Sequence, residues 1–437
     1  TDHDNLCGSM EFARTAADLD LNAIIGAEVT LLDGSHLTLL AENQRGYANL
    51  SRLVSHGYID GDRRNPGLDP ARIAEHADGW VLLTGCRNGR LADLADRGDL
   101  VGAEAQLSAY MDWCGPDSVF VELQQNLVQG DTSRNRRLVD LAGRLGADVV
   151  ATNNVHYHVQ DRHRLQDALV AVHHNKSLEE THRERRPNGH FYLKSPAEMA
   201  ALFDGCPEAI KNTLRIAERC GGFDLTRDMG YHFPDYPAPQ GHTPQTYLRE
   251  LCYEAAQRRY HTIDDRVATR LERELGLVEK NGLAGFFLIY HDIILLAREI
   301  MIELGLSDTE IPLEERPPGR GRGSSVAMLI GYLIGLSHID PLEFDLSLDR
   351  FLNDDMDGSV PDIDLDFPRN IREELIKRVH QEWGSDRAVL TGMISTYKIK
   401  GAIRDLGKAL GLPAEDLSKL AKRIDSHNAG NLDEEMK

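Results

Sequence analysis

The stretch PDIDLDF, residues 361–367, alternates carboxylate and apolar side chains. A period of two belongs to a strand. It places Asp362, Asp364 and Asp366 on one face and Ile363, Leu365 and Phe367 on the other. The apolar face can enter a core. Same-face carboxylates about 7 Å apart raise one another's pKa and are relieved by solvent, arginines or divalent cations. Carboxylates so placed can clamp two metal ions about 4 Å apart for in-line phosphoryl chemistry. An exposed acidic edge strand accounts for this stretch equally well.

Upstream, PPGRGRGSSVAMLIGYLIGL (317–336) runs from a glycine-rich turn with two arginines into an apolar helical pattern. Glycines allow close backbone approach to a ligand, and helix N-terminal N–H groups favour an anion. Ser324 and Ser325 stand where an N-cap is expected. No GKS or GKT follows, which disfavours a P-loop NTPase. The segment LSLDRFLN carries Arg350 towards the acidic strand. A Gly-Ser turn followed by a D-x-D strand is the order of a nucleotidyltransferase palm: the turn holds a triphosphate and the carboxylates hold the metals that bridge it.

The elements that must position these residues begin with an α/β half. Strand-like runs at 22–32, 36–42, 80–85, 118–124 and 148–157 alternate with helical runs such as 91–107 and 132–145. This predicts parallel strands, doubly wound or closed into a barrel. Polar residues fall at the strand ends, where α/β folds place their sites: Asp2, His3, Glu28, Cys86, Glu122, Asn154 and His156. Histidine, carboxylate and thiol at several strand ends point to a metal cluster. His56 is near in sequence but sits on a helical run. Residues 161–220 read as helical and polar, with a histidine-rich solvated connector, and the Pro/Gly-rich 234–247 as a domain boundary.

At 437 residues the chain has room for two or three domains. Its 41% hydrophobic and 27% charged content describes a soluble globular protein. No apolar run is long enough to span a bilayer. Six cysteines without CxxC pairs argue against a disulfide framework or zinc ribbon and point to a reducing cytoplasm. The formal charge of −21 argues against a generic polyanion binder. Only 369–408 is locally basic, with Lys398, Lys400 and Arg404 near its end. The chain opens on TDHD and stops at EEMK, and is expected to be a fragment.

GRGRGSS, HIDPLEFDLSLDRFLN, PDIDLDF and TYKIKGAIRDLGKALGLP resemble the bacterial C-family DNA polymerases, the DNA polymerase III alpha subunit and its error-prone relatives. TDHDNLCG, IIGAEVTLL, HLTLLAENQRGYANLSRL, LLTGC and ATNNVHYH resemble the same family's polymerase-and-histidinol-phosphatase (PHP) domain. The resemblance implies a barrel-like α/β PHP domain over 1–225, a linker and connecting helix over 226–265, an incomplete α+β palm of the polymerase-β type over 266–392, and the start of a thumb over 393–437. It makes Asp362 and Asp364 the catalytic, Mg²⁺-binding pair and sets Asp366 aside as an essential ligand. Gly323 and Ser324 become the triphosphate loop, Arg322 and Arg350 its cationic contacts, and Lys398, Lys400 and Arg404 contacts to DNA. Asp2, His3, Glu28, Cys86 and His156 fit PHP ligand positions for Zn²⁺ or Mn²⁺.

The implied activity is attack of a primer 3′-hydroxyl on a deoxynucleoside triphosphate. The implied partners are primer–template DNA, dNTPs and, through regions outside this chain, a sliding clamp and other replisome or translesion subunits, in the cytoplasm and without a membrane. Two departures stand out. The family's third catalytic aspartate would follow Lys437, so this chain alone is expected to extend no primer. The first PHP H-x-H motif would precede Thr1, and Asn154 stands where an active site carries aspartate, so a weakened or structural metal site is expected. A PHP phosphoesterase or exonuclease and a non-catalytic primer–template scaffold remain the alternatives. The replicative and error-prone branches stay open, although ATNNVHYHVQDRHRLQDALVAV and FYLKSPAEM look more like the error-prone one.

Overall fold

The structure, a computed structural model, describes residues 1–61, 65–230, 235–348, 362–384, 387–392 and 396–424. They form two compact units, one of 1–230 with 396–424 and one of 235–392. Among the described residues no helix is long and apolar enough to cross a membrane.

The first unit is built on a six-stranded sheet whose strands lie in chain order: β1 (Asp2–His3), β2 (Gly26–Thr30), β3 (His36–Ala41), β4 (Trp80–Leu83), β5 (Val119–Gln124) and β6 (Asp148–Thr152). β4, β5 and β6 run parallel, as do β1 and β2. β3 is antiparallel to both of its neighbours, against the all-parallel expectation. The reason is local. Only residues 31–35 separate β2 from β3, and a parallel crossover needs a dozen or more. Asp33 closes this tight turn by accepting from the Ser35 amide and hydroxyl.

Both faces of the sheet are covered, which explains why the strands are continuously apolar rather than alternating. Trp80 and Leu82 of β4 and Val119, Val121 and Leu123 of β5 enter one core, shared with Leu50, Leu53, Leu91, Leu107 and Leu138 from helices. Their neighbours Val81, Leu83 and Phe120 face the opposite core, closed by Ile216 and Cys220 of the Pro207–Cys220 helix. Strand-like order therefore reads out as two layers of helix around one sheet. The helices Ile399–Ala409 and Ala414–Arg423 also belong to this unit. The first of them packs on the His163–His173 helix, and the Leu178 amide donates to Ala409 O at 2.9 Å.

The second unit is chiefly helical. Pro244–Tyr260, Asp265–Lys280 and Ala284–Glu303 pack through Leu248, Cys252, Leu271, Leu275, Phe287 and Ile294. Against them lie the short helix Leu329–Leu333 and a two-stranded antiparallel ribbon, β7 (Arg320–Arg322) with β8 (Asp364–Asp366). The Arg372–Trp383 helix docks on Ala284–Glu303 through Ile371, Leu375, Ala297 and Ile300. Where a mixed α+β palm is expected, the described residues contribute these two strands and the helices beneath them.

Candidate active site and metal centre

In the second unit, β8 is shorter than the alternation suggests, and Asp362 precedes it. The two faces nevertheless separate. Ile363 is buried and Leu365 and Phe367 pack on the core, whereas Asp362, Asp364 and Asp366 are exposed. The ribbon's register sets Asp364 opposite Arg322 and Asp366 opposite Arg320. Arginines and aspartates therefore share one face. Arg322 Nε lies 3.1 Å from Asp366 Oδ2, so the aspartate set aside as a ligand is the one that holds an arginine. At Gly321, between the arginines, the backbone amide donates to Leu336 O at 2.8 Å, tying the ribbon to the core.

From Arg322 the chain enters a single 3-10 turn, Gly323–Ala327, before Leu329–Leu333. Gly323 has φ +70° and open space where a Cβ would stand. Neither serine stands at an N-cap position. The backbone of Ser324 lies within the 3-10 turn, and Ser325 Oγ donates to Arg322 O at 2.8 Å. The N-cap position is Met328, which has no capping side chain, and the free amides of Leu329 and Ile330 donate instead to the Glu274 carboxylate. That partner lies 55 and 56 positions upstream, so no local pattern announces it. Arg350 lies outside the described residues. Lys398, Lys400 and Arg404 are exposed, at the start of and along the Ile399–Ala409 helix of the first unit.

The first unit gathers a different set. His3 pairs in register with Glu28, and the β2–β3 hairpin pairs Glu28 with Thr38 and Thr30 with His36. His36 is thus the diagonal neighbour of Glu28 on the same face. Its Nδ1 lies 2.7 Å from Glu28 Oε1, and His3 Nε2 lies 3.8 Å from Glu28 Oε2. One ligand atom from each of His3, Glu28 and His36 falls within 4.8 Å of the others, the only such trio among the described residues. Cys86 Sγ adjoins it, 3.4 Å from Glu28 and 3.6 Å from His36. Gly85 holds the thiol there: its φ is +89°, and a Cβ on it would meet His36 O at 2.0 Å.

The electrostatics of this cluster follow from burial. Burial raises the Glu28 carboxyl, but His36, His3 and Cys86 together pull it below its ordinary value. The Cys86 thiol is pushed up to about 12 by burial and then by Glu28. Glu122, completely buried, is raised by burial; its Oε1 accepts from Thr152 Oγ1 at 2.5 Å and Gln124 Nε2 at 2.9 Å, and its Oε2 has no partner. His156 is lowered to about 4, chiefly by burial, then by Arg186 and His3. Its Nε2 is buried without a partner.

These orphaned atoms, with imidazole, carboxylate and thiol donors converging, fit a divalent cation. A bound cation would compensate the buried carboxylates and favour the thiolate. Asp362 and Asp364 fit one differently: two exposed carboxylates plus a substrate's phosphates are a usual way to hold Mg²⁺. Of the residues expected in the PHP set, His3, Glu28 and Cys86 come together, and His3 and Glu28 are charges that His156 feels. Asp2 does not join them, because neighbouring positions on β1 point to opposite faces. Asn154 bends the chain with φ +47°, and His56 pairs with Asp60 at 3.5 Å. His36 is the residue that sequence reading missed. Its signal, a same-face diagonal to Glu28, exists only once the hairpin register is known.

Two family models match the chain: the PHP domain over residues 1–126 and the bacterial DNA polymerase III alpha NTPase domain over 246–437. Both matched regions are similar to the bacterial C-family DNA polymerases. It is 36% identical to the error-prone DNA polymerase of Symbiobacterium thermophilum over 98% of its own length and 39% of that protein. Identity to the error-prone DNA polymerase of Mycobacterium tuberculosis is 33%, over 99% of the chain and 39% of the relative. Identity to the DNA polymerase III subunit alpha of Treponema pallidum is 32%, over 97% and 36%. The chain thus spans well under half the length of these curated relatives.

Proposed function

We propose that the chain supplies the PHP domain and the nucleotide-binding part of the palm to a template-dependent DNA polymerase, which transfers a nucleotide from a dNTP to a primer 3′-hydroxyl in replication or translesion synthesis. One observation carries the reading: the β7–β8 register sets Asp364 opposite Arg322, the residue that leads into the Gly323–Ala327 turn, with Asp362 just before β8. Asp362 and Asp364 hold two Mg²⁺ ions. When bound, these lower the pKa of the primer hydroxyl and neutralise the leaving pyrophosphate. Arg322, on the same face, places a positive charge beside the triphosphate, and Arg350 is assigned to the same task. The left-handed backbone at Gly323, with nothing where a side chain would project, gives the phosphates room to approach. Lys398, Lys400 and Arg404 contact the primer–template backbone.

On this reading 1–225 is the PHP domain, 226–265 the connection, 266–392 the palm and 393–437 the start of a thumb, with clamp and replisome or translesion subunits as further partners in the cytoplasm. The test is metal-dependent incorporation by a protein of the relatives' length that carries this chain. Asp362→Asn and Asp364→Asn should each lower the rate by at least about 10³-fold, as expected for removing a metal ligand from a two-metal site. Rates within threefold of wild type would overturn the reading.

The PHP cluster supports a second activity, metal-dependent phosphodiester hydrolysis with Zn²⁺ or Mn²⁺ held by His3, Glu28, His36 and Cys86. The unpartnered atoms of His156 and Glu122 favour it, since a purely structural core leaves few such groups. If His156→Ala leaves metal-dependent 3′→5′ exonuclease activity of that protein intact, or no such activity exists, the cluster is structural.

A further inference from the structure

The second unit buries an ion pair that neither the metals nor the substrate phosphates require. Glu274, on the Asp265–Lys280 helix, is 0% exposed within an apolar core that includes Leu271, Leu275 and Leu329. Its two oxygens accept from adjacent backbone amides, Oε1 from Leu329 at 3.0 Å and Oε2 from Ile330 at 2.9 Å. Arg270, one turn earlier, donates Nε to Glu274 Oε1 at 2.6 Å. The rest of its fork reaches Ala327 O at 2.7 Å and Leu346 O at 3.2 Å. One pair thus grips the last carbonyl of the Gly323–Ala327 turn and the amides just beyond it.

The base of the same segment is closed independently. The Gly321 amide donates to Leu336 O, the Leu336 amide to Gly331 O, and His291 Nδ1 meets Ile334 O at 3.0 Å. Between these anchors only the residues from Arg322 to Val326 are left to form a tip. A buried ion pair is a costly way to gain stability, because apolar residues of the same volume often serve as well or better. It does fix direction, since a carboxylate and a guanidinium fork accept only narrow geometries. A helix of one turn could also have been capped locally by a serine or aspartate in place of Met328. The chain instead takes its cap from a rigid helix in the core.

We infer that Glu274 and Arg270 are positioning residues that fix the glycine-rich turn at the height above Asp362 and Asp364 that a metal-bound triphosphate requires. This rests on the proposed reading of the turn as the triphosphate loop. Misplacement of a substrate-holding group by about 1 Å costs on the order of a hundredfold in rate, so a looser anchor should show first in nucleotide use. Glu274→Gln keeps the shape but turns one acceptor into a donor facing a backbone N–H. Arg270→Lys keeps the charge and loses the fork. Leu271→Ala, in the same helix and core, loosens packing without touching the turn's hydrogen bonds.

The experiment compares these variants in the polymerase carrying this chain, by steady-state dNTP titration, primer–template binding and amide exchange over 323–334. Glu274→Gln should raise the dNTP KM at least tenfold and speed exchange at Leu329 and Ile330, with primer–template affinity unchanged. Arg270→Lys should fall between it and wild type, and it decides the matter if Glu274→Gln fails to fold. The inference is overturned if the dNTP KM stays within twofold of wild type, or if Leu271→Ala raises it equally. Failure of the underlying reading looks different: Asp364→Asn would then incorporate as fast as wild type, while the exchange data would still report whether Glu274 holds the turn.

Discussion

The two units bring acidic groups together in opposite ways. In the first, the donors come from separate strands of a sheet covered on both faces, and burial sets their protonation: Cys86 and Glu122 are raised, His156 is lowered, and Glu28 stays below its ordinary value because His36, His3 and Cys86 offset its burial. In the second, Asp364 and Asp366 stand exposed on one ribbon with Asp362 just before it, and the buried charge lies in the core, in Glu274 paired with the part-buried Arg270. A buried cluster is strained until something compensates it, which suits it to a resident cation. An exposed pair is comfortable in water and can acquire its ions with a substrate and release them with the product. On the proposed reading the first site stores a metal and the second borrows one.

Backbone rigidity offers the harshest way to break that contrast. Gly85→Ala forces a side chain into φ +89° and drives its Cβ to 2.0 Å from His36 O. It should destabilise the first unit by about 4 kcal/mol or more, combining left-handed strain with a backbone collision. Gly323→Ala meets nothing within 4 Å and should cost only about 1 kcal/mol of strain. Equal midpoint shifts in denaturant for the two variants would refute this assignment of rigidity.

Metal affinity should divide along the same line. His36→Ala removes a donor 2.7 Å from Glu28, and should weaken divalent binding by the 437-residue chain more than about a hundredfold, beyond what losing a supporting partner costs. Asp362→Asn should leave that affinity within about twofold, as calorimetric titration would show. A pH effect of similar size belongs to His156. A histidine whose folded pKa is depressed, here from 6.5 to about 4, contributes stability that is complete above 6.5 and is lost as pH falls through 4. In the metal-free chain this component should amount to up to about 3 kcal/mol between those limits, and His156→Asn should flatten the profile. The smallest effect is assigned to Asp366→Asn. Its ion pair with Arg322 is exposed on both sides, so stability should move by less than about 1 kcal/mol and incorporation by no more than a few-fold.

How far the sequence disclosed these sites depends on the range of the interaction that makes them. PDIDLDF is legible because alternation is local: each residue's face follows from its neighbour's, and Ile363 is buried while the aspartates are exposed. The α/β character of the first unit is legible for the same reason, from apolar runs separated by helical ones. The antiparallel β2–β3 pair was hidden by reading strands as alternating with helices, although the five-residue gap with Asp33-Gly34-Ser35 already forbids a crossover. His36 could not be placed without that register. Glu274 could not be found at all from pattern, because a carboxylate at that position of an amphipathic helix reads as one more solvated charge, and only the packed core reveals the amides it meets.

On the proposed reading Asp362 and Asp364 hold metal together with a nucleotide. Mn²⁺ binding with and without a non-hydrolysable dNTP tests it most directly, using the His36→Ala chain so that the first unit is silent. The nucleotide should tighten Mn²⁺ binding at least tenfold in that chain and leave it unchanged when Asp364→Asn is added. Equal tightening in both would contradict the assignment of the site.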